Sequence, residues 1–246
     1  MAQDEHGLPV GPRVPGWTGA RQPARRVIPG RFCRLEPVDA ARHGAALWAA
    51  HAAAPDGREW AYLFQARPAS ESAFLSLLAS MAQSADPLQF AVVDAATERA
   101  SGTLSLMRID PAHGVIEVGN VNFSPALQRT TASTEAQYLL MRHVFDDLGY
   151  RRYEWKCDSL NGRSRVAAER LGFSFEGIFR QAVVYKGRSR DTAWYSVIDS
   201  EWPAVRRGFE HWLHPDNLTA DGTPRESLAQ CRALDRRLAS GGADPA

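Results

Sequence analysis

From residue 31 onward, apolar and polar positions alternate in blocks whose period switches between two and nearly four. RFCRLEPV alternates as a strand does, and DAARHGAALWAAHAA after it repeats at helical spacing with Asp39 placed to cap it. SESAFLSLLASMAQ, 70–83, predicts a second helix with Ser70 or Ser72 near its start. LQFAVVDA and ERASGTLSLMRID read as a hairpin around a polar turn, and VIEVGNVNF as the next strand. A helix follows over TEAQYLLMRHVFDDLGY, where Ala136, Leu140, Val144 and Leu148 recur every four residues and Gly149 ends it. RRYEWKCD is a strand, Asn161 to Leu171 a helix stopped by Gly172, and FEGIFRQAVVYKG and DTAWYSVID are two further strands.

The order β, α, α, β, β, β, α, β, α, β, β predicts an α/β fold with a mixed sheet. Strands 115–123 and 151–158 enclose a helix, so they should run parallel with a right-handed crossover. Residues 1–30 hold Pro9, Pro12, Pro15, Pro23 and Pro29 and a cluster of arginines, and read as a flexible N-terminal arm. The folded domain spans 31–202. Pro203 separates it from a helical extension, 203–246, whose end SGGADPA should fray.

Composition changes this picture little. The chain has 246 residues, 44% of them hydrophobic, with 29 basic against 28 acidic side chains. That balance offers no field for gathering nucleic acid. No apolar run approaches a membrane span, and the N-terminal stretch lacks a signal peptide's apolar core. Cys33, Cys157 and Cys231 are far apart, which implies neither zinc spacing nor a disulfide framework. The chain therefore reads as cytoplasmic, with no metal.

The chemistry concentrates in GVIEVGNVNFSPALQRTTASTEA, 114–136. A strand ends at a Ser-Pro, and a short loop, QRTTAS, opens into a helix. Such a junction aims backbone N–H groups at a phosphate. Arg129, Thr130, Thr131 and Ser133 add side-chain donors. No Gly-x-Ser-x-Gly or His-Glu-x-x-His competes.

The loop resembles the acyl-CoA pyrophosphate motif of the GNAT acetyltransferase superfamily, Gln or Arg, two residues, Gly, one residue, Gly or Ala. The matching positions are Gln128, Arg129, Thr130, Thr131, Ala132 and Ser133, with Thr131 standing where the family usually has glycine. A second block, YEWKCDSLNGRSRVAAERLGFSFEG, 153–177, resembles the Asn-x-x-Ser helix and Leu-Gly-Phe turn of the ribosomal-protein N-terminal acetyltransferase (RimJ/RimL-like) branch. The resemblance covers about 31–202. It implies a GNAT fold, a mixed sheet of about seven strands splayed at the cofactor site and flanked by helices. It also implies acetyl-CoA as co-substrate and a primary amine as acceptor.

Residue by residue, the resemblance points to Asn161 and Ser164 at the pantetheine and thiol end of the cofactor. Val121, with Phe123, faces the cofactor, and the Val121 N–H is the expected oxyanion donor. Glu117 is the expected general base: strand alternation puts it with Gly119, Val121 and Phe123 on one face, and partial burial raises a carboxyl toward a base's working range. Ser164 is the expected proton donor to the thiolate. Trp60 and Tyr62, between the first two helices, are expected to line the acceptor site. Direct transfer in a ternary complex is the expected mechanism. The acceptor stays open between a protein N-terminus and a small amine such as an antibiotic, polyamine or amino acid. Succinyl-CoA is an alternative donor; Arg163, Arg165 and Arg180 suit either the cofactor's phosphates or a carboxylate on the acyl group. An acyl-CoA sensor without catalysis is the non-enzyme alternative. The long strands near 174–198 and the tail offer surface for a homodimer.

Overall fold

The computed structural model describes residues 2–220 and 222–239; SGGADPA, 240–246, lies outside the described residues. The chain runs β1 (Ala2–Gln3), β2 (Pro9–Val10), β3 (Ile28–Pro29), β4 (Cys33–Pro37), α1 (Ala40–Ala52), α2 (Glu71–Gln83), β5 (Leu88–Asp94), β6 (Ala100–Asp110), β7 (Val115–Phe123), α3 (Thr131–Arg142), β8 (Arg152–Asp158), α4 (Gly162–Leu171), β9 (Ser174–Tyr185), β10 (Arg188–Ile198), α5 (Trp202–Leu213) and α6 (Leu228–Ala239). β1 and β2 pair only with each other. The other eight strands form one sheet in the order β3-β4-β5-β6-β7-β8-β10-β9. The eighth strand, beyond the seven expected, is the two-residue β3. Among these pairs β7 and β8 alone are parallel, as the crossover through α3 requires.

Each face of the sheet carries its own core. On one, Leu104, Leu106, Ile116, Val118, Tyr153 and Tyr195 pack against α3 and its neighbours. On the other, Val38, Ala91 and Val93 meet Leu47 of α1 and Phe74 and Leu78 of α2. The predicted caps hold both helices: Asp39 accepts from the Arg42 N–H and Ser70 from the Ala73 N–H. α3 is buried from Ala132 to Met141 on all sides and then widens into a π-turn, His143–Asp147. Pro203 does not part a tail from the core. It lies in the first turn of α5, where a missing N–H costs nothing. Trp202, Val205, Phe209 and Trp212 then recur at helical spacing and bury into the α3 face.

The N-terminal segment is fastened from Trp17 onward. The Trp17 indole donates to the Ala112 carbonyl at 2.8 Å, the Arg21 N–H to the Leu148 carbonyl at 2.9 Å, and the Arg26 guanidinium pairs with Asp147. Glu135 of α3, 4% exposed, then accepts the backbone N–H groups of Arg31, Phe32 and Cys33 at 2.8, 2.6 and 2.8 Å. A Cβ at Gly30 would lie 2.5 Å from the Cys33 carbonyl and 2.8 Å from the Glu135 carboxylate, so only glycine admits this approach.

Glu135→Ala leaves three N–H groups without their acceptor. Hydrogen bonds to charged groups contribute about 1.5–3 kcal/mol each, so we expect at least ~3 kcal/mol less unfolding free energy in urea. A loss below ~1 kcal/mol would mean that water replaces the carboxylate freely.

Candidate active site

The site grows from a mismatch in β7. Its ladder with β6 pairs Asn122 with Thr103 and Gly119 with Ser105, so three steps on β7 oppose two on β6. The extra residue is a β-bulge, and Asn120 takes φ +49° there. Neither Asn120 nor Val121 has a registered partner on β6 or β8. On the other side, β7 pairs with β8 from Val115↔Arg152 to Val118↔Trp155 and no further, while β8 stays on β10 as far as Asp158. The two strands therefore diverge beyond Val118 and Trp155.

The bulge corrects the expected facing of β7. Gly119 and Asn122 lie on the Glu117 face, because Ser105 and Thr103 share one face of β6. Val121 and Phe123 turn to the opposite face and pack against the α3 core. Strict alternation fails at one inserted residue, which no hydropathy pattern announces.

The loop after β7 differs from the expectation in a second way. Thr130 is the N-cap of α3, and the helix begins at Thr131, three residues before the predicted Thr134. The Thr130 hydroxyl donates to the Leu127 carbonyl and accepts from the Ser133 N–H. The Ser133 hydroxyl, in a buried side chain, donates to the Thr130 carbonyl at 2.7 Å, and that of Thr131 to the Gly222 carbonyl at 3.2 Å. These hydroxyls are committed within the protein and are not the free anion donors the sequence suggests. Gln128 donates back to the Phe123 carbonyl at 2.8 Å, and Arg129 is exposed at φ +63°. Among the described residues, the N–H groups of Arg129, Thr131 and Ala132 have no acceptor. They lie at the positive end of a long buried helix.

Across the gap, Asn161 caps α4 by accepting the Ser164 N–H at 3.2 Å. The Ser164 hydroxyl accepts the Trp155 indole N–H at 2.9 Å, which leaves its own hydrogen to donate. Burial raises the thiol of neighbouring Cys157, and the Ser164 side chain pulls it back down. Arg165 is bound to the Tyr195 hydroxyl at 3.1 Å, while Arg163 and Arg180 are exposed.

Glu117, 4% exposed, sits on the other face. Its Oε2 is 3.0 Å from Lys156 Nζ and 3.0 Å from Arg108 Nε, in ionic contacts without hydrogen-bond alignment. Lys156 Nζ also lies 2.6 Å from Glu154 Oε2 and 3.9 Å from the centre of the Trp194 ring. Burial raises the Glu117 carboxyl above its ordinary range, while Lys156 and Arg108 pull it back down. Lys156, Glu154 and Arg108 did not emerge from sequence; only the alternation in EWKC, which puts Glu154 and Lys156 on one strand face, hinted at them.

Trp60 and Tyr62 lie in and after a 3₁₀ turn, Arg58–Trp60. Tyr62 reaches across to donate to the Leu160 carbonyl at 3.3 Å, just before α4. Trp60 is buried at 5% and its carbonyl accepts Lys186 Nζ at 2.7 Å, so both ends of the cleft hold this turn. Trp60 lines a cavity with His51, Phe74, Thr103, Asn120 and Asn122, which opens beside the bulge. The His51 ring packs 5.7 Å from Trp60, and burial pushes its pKa down to about 4, so it is neutral.

The fold thus brings together a helix N-terminus with open N–H groups, a diverging parallel strand pair and a buried carboxylate, the features expected of a candidate acyl-transfer site. Comparison with known proteins agrees. The chain matches the family described as Acetyltransferase (GNAT) domain over residues 33–174. It belongs to the GNAT acetyltransferase family and is an acetyltransferase. A GCN5-related N-acetyltransferase from Brucella melitensis is 48% identical with a TM-score of 0.87, covering 90% of this chain and 100% of that one. A probable GNAT-family acetyltransferase from Chromobacterium violaceum ATCC 12472 is 43% identical with a TM-score of 0.74, over 80% of this chain and 98% of that one. The YdaF protein of Bacillus subtilis (strain 168), named as a candidate ribosomal N-acetyltransferase, is 28% identical over 101 residues. That match spans 41% of this chain and 55% of the relative, about half the relative's length. No helix among the described residues is long and apolar enough to cross a membrane.

The raised Glu117 carboxyl has a measurable sign. The folded chain holds this proton to higher pH than the unfolded chain does. Ionising it in the fold therefore costs stability as pH rises from the unfolded value through the raised one. Glu117→Gln should gain melting temperature relative to the parent as pH climbs out of the carboxylate range, and the gain should vanish in acid. A gap that widens toward low pH would reverse the assignment and make the two cations dominant.

Proposed function

We propose that this enzyme binds acetyl-CoA in the gap between β7 and β8 and passes the acetyl group directly to the N-terminal amine of a protein. The gap carries the reading: Val121 lies at its mouth out of register with β6 and β8, with Glu117 on one side of the sheet and Ser164 on the other. The N–H groups of Arg129, Thr131 and Ala132 receive the pyrophosphate. The exposed Arg129 guanidinium adds charge at the same end of α3.

Glu117 takes a proton from the amine as nitrogen bonds to the thioester carbon. An α-amino group ionises near ~8 and a lysine side chain near ~10.4. The α-amine thus presents more neutral nucleophile, and the raised carboxyl of Glu117 lies nearer to it in pKa. The Val121 N–H donates to the carbonyl oxygen as charge gathers there. When the carbon–sulfur bond breaks, Ser164, its oxygen already anchored by Trp155, hydrogen-bonds the departing thiolate and relays to it a proton drawn from solvent, so the serine ends neutral. No covalent enzyme intermediate is needed. The 58–64 turn, carrying Trp60 and Tyr62, overhangs the acceptor. The resemblance of the Asn-x-x-Ser block and the naming of YdaF support a protein terminus over a small amine.

The deciding measurement is CoA thiol release with acetyl-CoA and succinyl-CoA against a panel of N-terminal peptides, polyamines, amino acids and aminoglycosides. Acetyl transfer to peptide α-amines should lead; faster turnover of a small amine would replace the acceptor class. Glu117→Gln should lower kcat by ~10²–10⁴ with CoA affinity preserved. Parental kcat with an unchanged pH profile would remove Glu117 as base.

Ser164 and Asn161 should separate kinetically. Ser164→Ala also strips the Trp155 N–H of its acceptor, so melting falls and kcat is the telling readout. We expect kcat to fall in Ser164→Ala and to recover in Ser164→Thr, which keeps the hydroxyl. Asn161→Ala should cost about 1 kcal/mol of stability as a lost cap and weaken CoA binding. Full kcat at saturation in Ser164→Ala would leave that residue a mere cofactor contact.

A further inference from the structure

Beyond the acyl-transfer site, three metal-compatible side chains from separate segments converge where α5, the turn after it and α6 meet. We propose that His211, Glu226 and Cys231 form a zinc site that fastens the C-terminal helices to the domain. His211 comes from the last turn of α5, Glu226 from the turn before α6, and Cys231 from the first turns of α6. Their ligand atoms all lie within 4.8 Å of one another. His211 Nε2 is 3.8 Å from Glu226 Oε2, and Cys231 Sγ is 3.7 Å from the same oxygen.

Tetrahedral zinc with ligands at about 2.0–2.3 Å places neighbouring donors about 3.3–3.8 Å apart. The two edges that share Glu226, 3.8 and 3.7 Å, match that spacing, and the third closes within 4.8 Å. The His211–Glu226 edge is long for direct pairing: 3.8 Å exceeds a nitrogen–oxygen hydrogen bond. The Cys231 thiol donates to the Glu226 carboxylate in the long contact typical of sulfur, and nitrogen, oxygen and sulfur thus face a common point as a donor set that suits zinc. Cys231 is fully buried, whereas the His211 and Glu226 side chains are about half exposed at 47% and 40%, so a cation has a solvent route and a fourth position for water. Glu226 is braced from behind. Asn217, buried, accepts the Glu226 N–H at 2.9 Å and donates to the Trp212 carbonyl at 2.9 Å.

Zinc binding replaces the thiol proton, which leaves to solvent. The absence of a compact sequence motif is no obstacle, because the fold and not local spacing assembles the three residues. The position matters for the domain: the turn between α5 and α6 offers the Gly222 carbonyl to Thr131 at the head of α3. Fixing that turn fixes the far wall of the anion cradle.

The test uses the untagged full chain, stripped by chelator and titrated with zinc and with cobalt. One equivalent of zinc should bind and raise the melting temperature. Cobalt should give a thiolate-to-metal charge-transfer band in the near ultraviolet. Cys231→Ser should abolish that band, and His211→Gln should weaken zinc binding at least ~10-fold, the scale on which even outer partners of metal ligands act. His211 is exposed, so its variant keeps the test sound even if Cys231→Ser folds poorly. Equal zinc affinity in parent and His211→Gln, or a cobalt spectrum without the thiolate band in the folded parent, would overturn the site.

Discussion

One inserted residue in β7 organises the molecule. A regular strand would carry its hydrogen-bond ladder unbroken across the sheet, and nothing could enter between β7 and β8. The bulge at Asn120 takes Val121 out of register with both neighbours and bends the strand away from β8. A residue out of register with both neighbouring strands gives up regular ladder bonds, which is costly when buried. Here the irregularity is confined to the point where β7 and β8 diverge. The same inversion sends Phe123 into the α3 core, which anchors the diverging end, and leaves Asn122 facing the acceptor side with Glu117.

A buried carboxylate at such a site needs company. Glu117 is one node of a row of charges that crosses the sheet: Arg108 on β6, Glu117 on β7, Lys156, Glu154 and Arg152 on β8, and Glu176 on β9. Removing one partner from a buried set is more damaging than its net contribution implies, because the remaining charge stays desolvated. Lys156 is the central member. It shares its ammonium between two carboxylates and the Trp194 ring, so its hold on Glu117 is divided. That division lets burial win over attraction at Glu117 and keeps its carboxyl basic.

Periodicity carried most of the fold. The caps at Asp39, Ser70 and Asn161 and the stops at Gly149 and Gly172 are local events, decided by residues within a turn of one another, and were legible. The family motifs pointed to the 128–133 loop and the entrance of α4, the first of which opens α3 and the second of which follows the diverging end of β8. What stayed hidden depends on distant partners. The Thr130 and Ser133 hydroxyls look free in sequence, yet cap their own helix. Val121 and Phe123 changed face at a bulge that needs β6 to define it. Pro203 read as a break because its helix-starting role shows only once Trp202, Val205, Phe209 and Trp212 have a core to meet. Lys156 acquired meaning only beside β7.

The Glu135 clamp bears on how the chain is made. Three N–H groups at the start of β4 wait for a carboxylate 102 to 104 residues further on. On the ribosome, the first long strand therefore cannot reach its final anchorage until α3 has emerged. Until then the nascent meander of β4, β5 and β6 keeps the face meant for α3 open to water and to chance partners. Synthesis pauses before residue 135 would lengthen that interval, whereas pauses after it would leave β8, β10 and β9 still to join the sheet. Translation speed up to α3 would then set how long that apolar face stays uncovered.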